Sequence, residues 1–492
     1  MQRLLRPNSI PTSVRIRGFI AASAVVYTAL AWRFPLPRLY DTIPPVDYAK
    51  LTRYSITGVL FLLTAYILLF GGLASLITHP PEGASHHVRY VAAGLALPLL
   101  FLYPIFAIDF FLYALHTRVW LFHHQNPFLI PPGRCPGDRW IGLSGEWINA
   151  TSGYGPVWEV LAAIPGLLAG AHHFLAHLMG LKVIAYLAYL TDVWMLDRIL
   201  HVWRPEERVR RLMYFAWNPL VLLEFVGNGH NDSVMLGFIL LALWLLLQQR
   251  EFWAHVAMAM AVLVKIPALF LWGLLWVWSM ARHRDWTTRV RITGEVLGLA
   301  VLTGGIFAWI LWPNPHAWQA VRENTFSSRS PQTLAILIAM GLHIPHAFAR
   351  VQQTAQALFI IAALGVVGWL WHRTSREEDE PTQFTHLVHA WLALIVLLLY
   401  LFASNWRPWY ATWLLPLAAL SPSSAWLWGV FALAFTAETG DVYWTNVRWR
   451  FLGSASPLVA HVIGVLYVFG IPAMVLALYA RRESAFAPDK RT

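Results

Sequence analysis

Few residues in this sequence can do acid–base or anion chemistry, and those few fall at the ends of apolar runs. In "PIFAIDFFLYALHTRVWLFHHQNPF", residues 104–128, Asp109 closes a run that otherwise reads as membrane. A carboxylate at that depth is costly and counts as a functional candidate by default. If a helix continues past it, Tyr113, His116 and Trp120 follow at i+4, i+7 and i+11 on one polar-aromatic face, while Arg118 points the other way. The plainer reading is an interfacial amphipathic helix whose Asp sits in headgroup water.

A second group lies in "GNGHNDSVML" at 227–236. Asn228, Asn231 or Asp232 is expected to cap a helix, with the glycines allowing a tight turn. His230, Asn231 and Asp232 could in addition hold sugar hydroxyls, since amides and carboxylates bond them in pairs. His and Asp are also metal ligands, but no second ligand set has fitting spacing, so no metal and no cofactor is expected, a divalent ion being the disfavoured option.

Two cations complete the set. Lys265 stands in "LVKIPALF" and Arg407 in "NWRPWYATWLLP", flanked by Trp406, Trp409, Tyr410 and Trp413. A guanidinium offers a planar fork to phosphate oxygens, and the aromatic surround suits an adjoining lipid chain. Snorkelling to the interface is the alternative for either cation. The roughly fifty residues after Asp109 form a long loop of the kind that is functional or disordered, and Trp140, Trp147, Tyr154 and Trp158 argue against disorder. Its "NAT" triplet at 149–151 fits a glycosylation acceptor, a pattern that arises easily by chance. His172, His173 and His177 read as surface or packing residues, and His316, Arg322 and Arg329 as solvated or phosphate-facing loop groups. Glu224 and Asp192 lie within apolar runs and need partners.

The elements that must position these groups are membrane helices. Of 492 residues, 58% are hydrophobic and only 12% charged, with 27 Trp and 30 Pro; the mean hydropathy is +0.53. That excludes an ordinary soluble protein. The fold class is all-α and polytopic, with about 12–14 transmembrane helices from roughly fourteen apolar runs between residues 16 and 480. No internal repeat, low-complexity tract or soluble domain stands out, so residues 1–492 read as one transmembrane domain. One cysteine, Cys135, rules out an internal disulfide framework.

Lys and Arg gather in cytoplasmic loops, and the net charge of +11 is read through that rule, with no nucleic-acid signal in it. The N-terminal tail, expected to be retained in the cytoplasm, and the segments 198–211, 248–251, 281–291, 372–379 and the C-terminal tail fall on one side. This works only if 156–170, interrupted by Pro165, lies along the outer surface and if the chain turns near Lys265–Pro267. The cations Arg33, Arg38, Lys50 and Arg53 conflict with it. The outer face then receives a loop at 109–173, "GNGHND", Lys265, a second loop at 313–352, and "SNWRPWY" at 404–410.

In the order of its motifs the chain resembles the GT-C superfamily of glycosyltransferases, and within it the bacterial polyprenyl-phosphate-mannose-dependent alpha-mannosyltransferases. The motifs are "D..LY....R.......NPF" at 109–128, "YGPVW" at 154–158, "NPLVLLEFVGNGHND" at 218–232, "LVKIPALF" at 263–270 and "RPWYATWLLP" at 407–416. Singly each is weak; the combination spans about 300 residues. The resemblance implies an inverting enzyme whose first large outer loop carries the catalytic acidic residue, here Asp109, as the general base that takes the proton of an attacking hydroxyl. Its donor would be a polyprenyl-phosphate sugar and its acceptor a glycan or glycolipid, met at the outer face of a bacterial plasma membrane. Tyr113, His116, Tyr154, His230, Asn231, Asp232, Lys265, Arg407 and Tyr410 are the substrate-binding candidates. The Asp109 motif holds one acidic residue instead of the adjacent pair of metal-dependent oligosaccharide transferases. The alternatives are a flippase or transporter of a lipid-linked sugar, which would need no base, and a protein O-mannosyltransferase. Transporters more often show repeated halves and polar groups near the bilayer midplane.

Overall fold

The structure, a computed structural model, describes residues 12–42, 56–79, 85–105, 107, 109–312, 329–403, 405–453 and 457–486. His316, Arg322, Lys50 and Arg53 lie outside the described residues, as do most of the N-terminal tail and residues 313–328 of the 313–352 loop.

The described chain is helical, and its only strand-like pairing there is one isolated bridge, Pro35 with Leu102. Seven helices are long and apolar enough to cross a membrane: Ser13–Arg33, Ile56–Thr78, Phe174–Trp203, Trp286–Leu311, Ala347–Arg376, Glu380–Phe402 and Pro457–Ala485. A further apolar pair, Pro219–Gly227 and Asp232–Leu247, is bent by 118° at its break, the geometry of a broken span or a re-entrant loop. Several of the remaining apolar runs form shorter helices, among them Pro156–Ala169, Glu251–Val264, Ala268–Arg282 and Pro331–Gly341. The run expected at 90–108 is a helix Ser85–Ala96 followed by a 3-10 turn Pro98–Phe101, because Pro98 lacks the N–H that would continue the α-helical ladder.

Lipid tails are as apolar as the side chains, so contact between these helices comes from close packing and internal polar bonds. In Glu251–Val264 the small residues Ala254, Ala257 and Ala261 are all buried. Their i, i+3, i+7 spacing makes one smooth stripe, and this helix packs closely on Asp232–Leu247. Trp286–Leu311 and Ala347–Arg376 bury little of themselves and present Leu297, Val301, Leu358 and Ile361 outward.

Two breaks build the site. The chain leaves helix at Val264, passes Lys265 in extended conformation and starts again at Ala268, so the turn expected at Lys265–Pro267 is present. Asp109 opens a helix, Asp109–Leu121, so its negative charge stands in the first turn, where the helix dipole favours it. Most of that helix is buried, against Pro156–Ala169 and the 3-10 segment Ile141–Trp147. The loop between them is ordered by side chains. Arg118, far from pointing outward, is 7% exposed; its Nε donates to Asp138 Oδ2 at 2.7 Å and its Nη1 to the Ala171 carbonyl. Burial pushes the Asp138 carboxyl up, but the bonds from Arg118 and the Trp140 N–H, with the Arg118 charge, hold it below its ordinary value.

Candidate active site

A cavity of about 510 Å³ opens where these breaks meet. Asp109, Leu112 and His116 contribute one wall from a single helix, at the i, i+3, i+7 spacing that puts side chains on one face. Trp147, Thr151 and Tyr154 come from the long loop, Lys265 from the break after Val264, and Arg407, Trp409, Tyr410 and Trp413 from the 3-10 turn Pro408–Trp413 and its N-cap. Phe270, Leu398, Leu399 and Phe402 make an apolar flank. Asp109, His116, Tyr154, Lys265, Arg407 and Tyr410 are thus brought together around one space.

Tyr113, His230, Asn231 and Asp232 stand behind that wall, each 1% exposed or less. Asp232 takes Lys265 Nζ on both oxygens, at 3.0 and 2.8 Å, and the Trp413 indole N–H at 2.6 Å. Asn231 accepts the Tyr113 hydroxyl at 3.4 Å. His230 stacks on Trp409 with ring centres 3.9 Å apart, and its Nε2 lies 3.2 Å from Glu224 Oε2. Glu224 also receives the Asn228 amide at 2.8 Å, which answers the need of that buried carboxylate for partners; among the described residues, both Asp192 oxygens have none. The expected capping is absent: Asn231 occupies the N-cap of Asp232–Leu247 without a side-chain bond. Asn228 reaches instead to the backbone N–H of Ile105, at 2.9 Å, because tying the turn to the Asp109 region satisfies a buried donor that no helix serves.

Charge is distributed unevenly around the cavity. Among the described residues, no side-chain hydrogen bond or ion pair engages the Asp109 carboxylate, in contrast to the saturated Asp232. Burial lowers the His116 ring to about 4, against a bond from its Nε2 to the Ala150 carbonyl at 3.1 Å and the Asp109 charge. The neutral ring must donate from Nε2, which leaves Nδ1 as a buried acceptor without a partner. Burial, and after it the Asp109 charge, raises the Tyr154 phenol well above its ordinary value, and burial does the same for Tyr410, so both stay protonated. Lys265 Nζ is 6.0, 5.6 and 5.8 Å from the ring centres of Tyr154, Tyr410 and Trp413, within cation–π reach. Among the described residues, no three His, Cys, Asp or Glu side chains gather as a metal ligand set.

Backbone contact fixes the loop against the Lys265 break. The Gly155 N–H donates to the Val264 carbonyl at 2.9 Å. A Cβ at Gly155 would come 1.9 Å from the Leu263 oxygen, so only glycine permits this approach. Ser152 donates to Glu159 Oε1 at 2.5 Å and accepts from the Tyr154 N–H, which sets the Tyr154 ring edge-on to Tyr113 with centres 4.9 Å apart.

The described chain is a multi-pass helical membrane protein in which a carboxylate, two cations and an aromatic lining surround one cavity. The sequence places it further. The profile of the family "Alpha-(1->6)-mannopyranosyltransferase, N-terminal domain" matches residues 15–282, more than half of the chain, and the protein belongs to that family. The chain is 23% identical over 369 residues to Alpha-(1->6)-mannopyranosyltransferase A of Corynebacterium glutamicum, covering 69% of this chain and 72% of that protein. It is 25% identical over 343 residues to Alpha-(1->6)-mannopyranosyltransferase A of Mycobacterium tuberculosis (66% and 63%), and 23% identical over 406 residues to Alpha-(1->6)-mannopyranosyltransferase B of Corynebacterium glutamicum (74% and 64%). The chain thus spans less than two thirds of the length of the latter two relatives.

Cavity residues that sequence reasoning did not single out as ligands are Leu112, Thr151, Phe270, Leu398, Phe402 and Asn405. Asn405 sits two residues before Arg407 in the same motif, and its Oδ1 has no partner among the described residues. For Phe270, Leu398 and Phe402 no signal exists, since an apolar residue in an apolar run looks the same on either face.

Proposed function

We propose that this protein is an inverting α-mannosyltransferase that moves mannose from a polyprenyl phosphate to a glycan or glycolipid acceptor, with Asp109 as general base. The observation that carries the reading is the Asp109 carboxylate, engaged by no side chain among the described residues, in the same cavity as Arg407 and Lys265, beside an apolar flank of Phe270, Leu398 and Phe402. The acceptor hydroxyl oxygen attacks the anomeric carbon and gives its proton to Asp109. The bond from that carbon to the phosphate oxygen breaks, and its electron pair leaves with the phosphate. Arg407 offers a bidentate fork to the departing charge. Lys265 adds a cation already half neutralised by Asp232, which limits how tightly it holds the product. Inversion with an α product requires a β-linked donor.

Tyr113, His230, Asn231 and Asp232 support the substrate-facing groups from behind. His116 is the acceptor-side candidate, because it lines the cavity on the same helix face as Asp109. The aromatic wall of Trp147, Trp409 and Trp413 suits the apolar faces of hexose rings. The helix Ala268–Arg282 begins at the cavity and ends at Arg282, which meets Glu380 and Gln249 at the opposite pole of the bundle. Under the positive-inside rule that pole faces the cytoplasm, and the cavity faces the outer side of a bacterial plasma membrane.

The donor assignment is tested by giving purified protein in lipid nanodiscs either polyprenyl-phosphate mannose or a soluble mannose nucleotide, with a simple α-mannoside acceptor. Transfer from the lipid donor alone, with an α linkage in the product, is the expected result. Transfer from the nucleotide sugar would overturn it.

A further inference from the structure

Lys182 is fully buried on the spanning helix Phe174–Trp203 and does not line the cavity. It is nonetheless tied to the cavity's machinery. Its ammonium donates to the carbonyls of Val226, at 3.0 Å, and Gly227. These belong to the π-helical turn Leu222–Gly227 that ends the first half of the bent pair. Carbonyls at a helix end have lost their helical partners, and inside an apolar bundle no water replaces them.

The same ammonium lies 5.1 Å from the centre of the Phe110 ring. Phe110 directly follows Asp109 and is fully buried. Its ring also seats the turn: Gly229 has φ +76°, and a Cβ there would come 2.6 Å from Phe110 Cδ2. Two hydrogen bonds complete the join, Ile105 N–H to Asn228 and Tyr113 hydroxyl to Asn231. The turn leads directly into Asp232, which holds Lys265. Asp109 and Lys265 are therefore registered against each other through Phe110, the 226–232 turn and Asp232.

We propose that Lys182 is a positioning residue for transfer: by closing the broken turn and seating Phe110, it fixes Asp109 relative to the Lys265 cation. This rests on the assignment of Asp109 as the base. An ammonium is the apt group, because three donors on one compact charge can serve two carbonyls and still face an aromatic ring. Lys182→Met keeps the stem and removes every donor. Lys182→Arg keeps charge and donors. Phe110→Leu keeps the carbonyl clamp and removes the ring.

The test combines turnover with hydrogen exchange in nanodiscs. For Lys182→Met, turnover per folded molecule is expected to fall about tenfold or more, with donor and acceptor KM within about threefold, since a misplaced base costs rate more than binding. Amides of the 226–232 turn should exchange faster, those of the distant Glu380–Leu397 helix should not, and Lys182→Arg should restore much of the turnover. Phe110→Leu should lower turnover while leaving exchange in the turn slow. Unchanged exchange in the turn of Lys182→Met would overturn the proposal, as would a loss of turnover matched by the loss of folded protein. If the wild type transferred no mannose, the base assignment would fall, and the exchange measurement alone would decide whether Lys182 closes the turn.

Discussion

Lys265 and Asp232 form an ion pair across two helix breaks, with Nζ 2.8 and 3.0 Å from the two carboxylate oxygens. Asp232 is fully buried and the Lys265 side chain is 13% exposed, so the pair presents its cationic side to the cavity. Asp232 is thereby committed to holding a cation, whereas no side chain among the described residues engages the Asp109 carboxylate. Removing one partner of such a pair leaves the other charged and poorly solvated, at a cost of about 3 kcal/mol. Asp232→Asn should therefore lower the thermal unfolding midpoint clearly, whereas Lys265→Met, which leaves a carboxylate still bonded by Trp413, should lower it less and raise the donor KM. Equal stability of Asp232→Asn and the wild type would show that the pair does not hold the break.

Glu159 and His116 give opposite pH slopes. Burial raises the Glu159 carboxyl to about 7 from 4.5, against the lowering effect of its Ser152 bond. The folded state thus holds a proton that the unfolded chain releases, and stability falls as pH rises from about 4.5 through 7. His116, lowered by burial from 6.5 to about 4, does the reverse, and stability falls as pH drops through that window. Glu159→Gln should flatten the decline of the unfolding midpoint on the alkaline side of pH 5, with the acid limb kept. A Glu159→Gln profile parallel to the wild type would contradict the buried, protonatable assignment.

Gly155→Ala addresses the loop that carries Tyr154. Its new methyl would overlap the Leu263 carbonyl, which belongs to a helix and cannot rotate away. The expected outcome is a loss of the Gly155–Val264 bond, about 2–3 kcal/mol of stability, and a rise in donor KM as Tyr154 and Lys265 separate. Unfolding curves and initial rates on the same preparations check both.

Arg407→Ala removes the planar fork while leaving the base untouched. Loss of one bidentate charge-assisted contact should weaken donor binding by about 2–3 kcal/mol, read as a 30- to 150-fold rise in Kd for a non-transferable lipid-phosphate analogue. Binding within twofold of the wild type would remove Arg407 from the phosphate role.

Much of the cavity was legible because ions in an apolar chain are conspicuous. Asp109, Lys265 and Arg407 each interrupt or end such a run, and all three line the same space. "GNGHND" was legible as a turn, but its side chains face backward, because buried backbone donors such as Ile105 N–H compete for them. Lys182 was passed over inside a run read simply as a span, although by the same rule an intramembrane cation needs partners. Helical class followed from composition, while the number of crossings did not. Run lengths do not reveal a break such as the 118° bend between Gly227 and Asp232, nor which face of an all-apolar helix turns inward to become Phe270 or Phe402 of the cavity.

The central claim is that Asp109 takes the acceptor proton, and the most direct measurement is single-turnover transfer from polyprenyl-phosphate mannose by the wild type and by Asp109→Asn, with donor binding measured on the same samples. The amide is nearly isosteric and cannot accept a proton at neutral pH. A general base contributes about 10²- to 10⁴-fold, so a rate loss in that range with donor affinity retained is the expected result. Single-turnover rates for Asp109→Asn within a few-fold of the wild type would contradict it.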